Sequence, residues 1–152
     1  MTDATALEAL AVRVEAGETG GRVDIDVARL LGLEPTVSDG WQMTSAETHT
    51  WHKNLRHPVN ATFAQWDDVW QPARVSTSLD ACAALAERVL PGTAALSSGK
   101  STAHEGKYWC LITRPVTDIA GTWTRREASV EAPTECAARL ASILRAKAKE
   151  AE

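Results

Sequence analysis

His49 and His52 stand three residues apart, and His57, Asp67 and Asp68 follow them in the same stretch. Two imidazoles and a loop carboxylate are a donor set for zinc or manganese. The spacing is generic: nothing resembles H-E-x-x-H, and no pattern fixes the rings in a rigid surround. Solvent-facing histidines are the simpler expectation, His104 beside Glu105 among them. A metal-dependent hydrolase centred on His49, His52 and Asp67 therefore ranks last, and no metal or cofactor is assigned. The run Ser97-Ser98-Gly99-Lys100-Ser101-Thr102 has the composition of a phosphate-binding loop but lacks the first glycine of G-x-x-x-x-G-K-[ST], so it reads as a polar hairpin loop. Cys82, Cys110 and Cys136 form no C-x-x-C pair. Their place on apolar faces predicts free, buried thiols whose pKa is raised. No catalytic residue emerges, and the chain is not read as an enzyme.

The tryptophans carry more weight, because each joins a large rigid surface to one N–H donor. Four of the six, Trp41, Trp51, Trp66 and Trp70, fall within residues 34–72, where aliphatic neighbours are few. They are the candidate partner-binding residues, and the competing expectation is a satellite cluster that staples the insert to the domain. Trp109 and Trp123 lie on expected strands and read as core between sheet and helix. A basic face built from Arg125, Arg126, Arg139, Arg145 and Lys147 is a candidate for docking a phosphate or acidic partner, with Arg125, Arg126 and Arg139 the candidate phosphate- or acid-binding residues. The competing expectation is an ordinary solvated surface, since bases late in a helix complement its dipole without any ligand.

These side chains must be held by a chain of 152 residues with 44% hydrophobic and 24% charged residues, the profile of one packed domain over 1–152. The formal charge of −4 argues against a nucleic-acid scaffold. The charge divides as eleven acids against five bases in residues 1–72 and nine against eleven in 73–152, or −6 and +2. The acidic, non-apolar start lacks a signal-peptide pattern and no stretch is apolar for long enough to span a bilayer, so the expected location is the cytoplasm. The sequon at Asn60 then reads as chance.

Leu7, Leu10, Ala11 and Val14 recur at helical spacing, and Val23, Val27, Leu30 and Leu31 repeat the pattern before Gly32 and Pro35. Residues 34–72 break the period and read as an irregular insert, with a short helical face of Phe63, Trp66 and Trp70 between Pro58 and Pro72. Thr77 and Asp80 suggest a capping box for a third helix lined by Leu79, Cys82, Ala86 and Val89. Three short strands follow at 93–97, 108–113 and 121–127, separated by turns at Gly99-Lys100, Glu105-Gly106 and Pro115. Pro133 in a first turn opens a last helix with the stripe Cys136, Leu140, Ile143 and Leu144. The predicted fold is α+β: a small antiparallel sheet of three to four strands covered by about four helices.

The stretches Val23-Asp24-Ile25-Asp26-Val27-Ala28, Leu31-Gly32 and Pro72-Ala73-Arg74-Val75-Ser76-Thr77-Ser78-Leu79-Asp80-Ala81 resemble the phage ABA sandwich domain family of small bacteriophage and prophage proteins. Ala132 to Leu140 is similar to the alanine-rich helix that closes those proteins, and Tyr108-Trp109 to their central strand. The resemblance implies helices on both faces of the sheet, an α/β/α sandwich, and a phage origin with a bacterial host cell as the place of action. It supplies no catalytic signature. The tryptophan- and histidine-rich insert departs from the pattern.

Three functions follow in order. The first is a non-enzymatic phage accessory protein that binds a host protein stoichiometrically, for example to block a defence system. The second is a nucleotide-binding or sequestering protein, in which indoles stack on a base and arginines meet phosphates. The third is the metal-dependent hydrolase. None involves nucleic acid or a membrane.

Overall fold

The computed structural model describes residues 3–56 and 65–151, the side chains of 54–56 and 65–68 excepted. The chain runs α1 (Ala4–Glu15), α2 (Gly21–Leu30), β1 (Trp41–Ser45), β2 (Thr50–Arg56), β3 (Gln65–Trp70), α3 (Leu79–Val89), β4 (Ala95–Lys100), β5 (Tyr108–Asp118), β6 (Gly121–Ala132) and α4 (Glu135–Ala151). It is an α+β fold with two separate three-stranded antiparallel sheets, ordered β1-β2-β3 and β4-β5-β6.

Helices α1, α3 and α4 begin where a side chain satisfies free amides, whereas α2 starts at Gly20 without a side-chain cap. Asp3 accepts from the amides of Thr5 and Ala6 at the start of α1. Ser78 takes the Ala81 amide at α3, so the cap lies one residue beyond the expected Thr77 box. Thr134 takes the Ala137 amide at α4, which places Pro133 just outside the helix rather than in its first turn. In α3 it is Cys82 and Leu85 that are buried, while Leu79 turns outward at 43% exposure.

Helix α4 organises the core. Beside the broad stripe of Cys136, Ala137, Leu140, Ala141, Ile143, Leu144 and Ala148, it buries Ala138, Ser142 and Ala146 on the opposite side, so the helix is enclosed nearly all round. It contacts α1, α3 and all three strands of the β4-β5-β6 sheet. Small alanines allow that close approach. Leu7, Leu10, Ala11 and Val14 of α1 meet it in the same core as Cys110, Ile112, Ala128, Val130 and Ala132 of the sheet. Arg145 adds ion pairs from α4 to Glu8 and Glu15 of α1. Helices α4 and α1 thus share one core with the sheet, α4 against all three strands and α1 against α4 and the edge at β6. An α/β/α sandwich would have helices on both faces of the sheet. Here, among the described residues, one face is uncovered, because β6 alternates buried Ala128, Val130 and Ala132 with exposed Ser129 and Glu131 and has only one apolar side to bury.

The strands are longer than expected. Gly99 and Lys100 pair with Trp109 and Tyr108 inside β4 and form no turn. Pro115 lies within β5, opposite Thr124. Strand β4 reaches only Thr113, so beyond it one side of β5 has no strand partner and a residue without an N–H is tolerated. The β5-β6 ribbon overhangs there and carries Ile119 at its fully exposed tip.

The insert is not irregular. Trp41, Met43, Trp51 and Trp70 share one face of its sheet through the pairings Met43 with Trp51 and Trp51 with Trp70. Trp66 and Trp70 lie on a strand, not on the expected helical face, and Phe63 lies outside the described residues. The Glu34 carboxylate meets His49 Nδ1 at 2.7 Å and holds the turn between β1 and β2 against the end of α2.

Candidate functional site

The four insert tryptophans do not make one exposed surface. Trp51 is 8% exposed, and its indole N–H has no acceptor among the described residues, an arrangement that costs about 1–3 kcal/mol. Trp41 is half-buried. Trp70 is half-buried against a small cavity lined by Val27, Ala28, Leu33 and Leu85, and so joins the insert to α2 and α3. The side chain of Trp66 lies outside the described residues. At least Trp51 and Trp70 thus serve as internal staples.

Among the described side chains, the exposed indoles are the two expected in the core. Trp109 is 37% exposed and Trp123 is 46% exposed. Their place follows from register: Gly99, Trp109 and Glu131 lie side by side across the sheet. All three are on the face away from α4, since Cys110 and Ile112 face the core. Trp109 lies across Gly99, where an added Cβ would stand 3.3 Å from the indole. Leu111, between Ser97 and Ser129 in the same register, continues this face and is half-buried. His104 Nδ1 meets Glu131 at 2.7 Å and Ser101 caps the His104 amide, so a polar rim stands beside the ring. The result is an open sheet face with an aromatic centre and a hydrogen-bonding edge. Sequence reasoning missed it because Tyr108 to Ile112 is apolar on both faces. The available signal lay in the partner strand, where Ser129 and Glu131 mark the outer side.

Trp123 belongs to the overhanging ribbon. Its Nε1 donates to Asp118 at 2.9 Å, and that bond, with the Ala120 amide, holds the Asp118 carboxyl below the usual carboxylate range.

The basic candidates are dispersed and mostly neutralised. Arg139 donates to Ser98 at 2.7 Å and pairs with Glu135 in the first turn of α4. Arg125 pairs with Glu127, which lies by Lys149 in the last turn. Ten helical residues, roughly 15 Å, separate those two ends, so Arg125 and Arg139 cannot grip one phosphate. Arg145 and Lys147 pair with acids of their own. Arg126 is exposed opposite Thr113 on the outer face. Burial raises the pKa of Glu127, but the Arg125 hydrogen bond and the charges of Arg114, Arg125 and Lys149 outweigh it and hold the carboxyl below its ordinary range.

The remaining candidates also separate. His49 sits in a turn at φ 50° against Glu34, while His52 is on β2 against Thr44 Oγ1 at 2.7 Å. His57 and the side chain of Asp67 lie outside the described residues, and no group of three metal-ligating side chains converges among those described. The three cysteines are buried and free. A hydrogen bond with Cys136 and burial push the Cys82 thiol up, and burial pushes Cys110 up. Cys136 departs from the expectation: the same bond with Cys82 lowers its pKa, while its Sγ–H donates to the Val75 carbonyl. Among the described residues no helix is long and apolar enough to cross a membrane.

Compared with known proteins, the chain matches no protein-family profile, no curated protein and no solved structure.

Proposed function

We propose that this protein acts by stoichiometric binding of another protein, without catalysis, as a phage accessory protein that captures a host protein would. The observation that carries the reading is the uncovered face of β4-β5-β6, with Trp109 over Gly99 and Leu111 beside it. A flat aromatic-centred face suits a protein surface, whereas a small ligand needs a concave site. The phage origin rests on the sequence stretches quoted above, and the blocking of a defence system is the biological outcome such capture would have.

The test is affinity capture from bacterial lysate with the wild type and with Trp109→Ala, Leu111→Ser and Trp41→Ala variants. The captured protein is then purified and its affinity measured directly. The expected result is a 1:1 complex that Trp109→Ala weakens at least tenfold and Trp41→Ala leaves intact, with every variant melting cooperatively. Equal affinity for wild type and Trp109→Ala would remove the sheet face from the reading.

A further inference from the structure

A cleft of about 890 Å³ opens between α2, the turn joining β1 to β2, and the segment that follows β3. Its walls carry Arg22 and Arg29 from α2 and Arg74 from the opposite side. None of the three guanidiniums makes an ion pair or a side-chain hydrogen bond among the described residues, unlike Arg13, Arg114, Arg125, Arg139 and Arg145. The lining acids do not supply the missing partners. Asp24 is buried and accepts the Ser76 amide at 2.9 Å, and Asp26 pairs with Arg13 at 3.0 Å. Glu47 on the turn is the remaining carboxylate. With Asp26 paired, three exposed cations stand against exposed Glu47 and the buried carboxylate of Asp24, a balance that stays positive.

From this convergence we propose that the cleft binds a small molecule bearing two or more phosphate groups. Guanidinium forks match phosphate oxygens two at a time. Arg22 and Arg29 are seven residues apart on one helix face, roughly 10 Å, a span that linked phosphates bridge and a single phosphate does not. Arg74 approaches from a wall already fixed, because Ser76 is held by Asp24 through its amide and receives the Gly20 amide on its hydroxyl at 3.0 Å. Thr77 adds a neutral hydroxyl, while Thr48 and Gln71, both bonded to Thr50 Oγ1, line the wall beside it. The volume lies in the range of small-molecule sites. A nucleic-acid strand is disfavoured, because it would have to extend beyond the cleft over a half of the chain that carries −6. The site is separate from the sheet face and does not depend on the protein-binding reading.

Isothermal titration at low ionic strength tests it with pyrophosphate, ADP, inorganic phosphate and a single-stranded oligonucleotide. Pyrophosphate and ADP are expected to bind at least tenfold tighter than inorganic phosphate. Arg74→Gln and Arg22→Gln should each weaken them about tenfold, Arg74→Lys less, and Trp109→Ala not at all. Circular-dichroism melts confirm that the exposed substitutions leave the fold intact. Absence of binding by pyrophosphate and ADP at millimolar concentration overturns the proposal, as does binding that survives both glutamine variants. An oligonucleotide that binds tighter than ADP overturns the choice of a small ligand.

Discussion

Glu127 shows how single residues act here. Its carboxylate lies near Arg114, Arg125 and Lys149, and its folded pKa is depressed. A group depressed on folding stabilises above its unfolded pKa, and that contribution is lost as pH falls through the folded value. Glu127→Gln is therefore expected to cost about 1–3 kcal/mol near neutral pH and progressively less below about pH 4. Thermal melts of wild type and variant from pH 7 to pH 3 should converge, and a constant difference would refute the assignment. Gly99→Ala places a methyl against the Trp109 ring, which is free to tilt outward because it is partly exposed. The expected loss is below about 1 kcal/mol, with a changed Trp109 indole N–H resonance as the marker. At this scale the sequence was informative about burial where neighbours agreed, as for the three cysteines. It misled for Trp109 because a strand apolar on both faces does not reveal which face is covered.

Among elements, the helices were legible and the first sheet was not. A helix repeats its apolar face over several turns, so Leu7, Leu10 and Val14 identify α1 without help. Strands β1, β2 and β3 hold only five, seven and six residues, and their common face appears only once Met43, Trp51 and Trp70 are paired across the chain. Two substitutions separate real from apparent signals in α3. Ser78→Ala removes the observed cap and is expected to cost about 1 kcal/mol, whereas Thr77→Ala should change little. In α4, Leu140→Ala opens a void at a fully buried position and should cost about 2–5 kcal/mol, against less than about 0.5 kcal/mol for exposed Leu79→Ala. Chemical denaturation of the four variants checks both pairs, and equal losses at Ser78 and Thr77 would remove the cap from the account.

For the molecule as a whole, the composition and the order of helices led to an α+β fold, but not to its layers. Which face of a sheet stays open depends on partners distant in sequence, and here α1 is spent on α4 instead of on the far side of the strands. The insert is joined to this body through Trp70 and through Glu34 with His49. Trp70→Ala is therefore expected to raise amide exchange throughout β1 and β2 at least tenfold while β5 keeps its protection. Hydrogen-exchange mass spectrometry reads both regions in one experiment, and loss of protection in β5 as well would mean that the insert and the core unfold as one unit.

The central position of α4 also bears on how the chain acquires its shape during translation. Every layer that α4 joins is made before it, so α1 and the strands leave the ribosome with greasy sides that have nothing to meet. A nascent chain arrested before Glu135 should accordingly stay sensitive to protease and attract chaperones, and release of the chain from the ribosome with α4 included should end both.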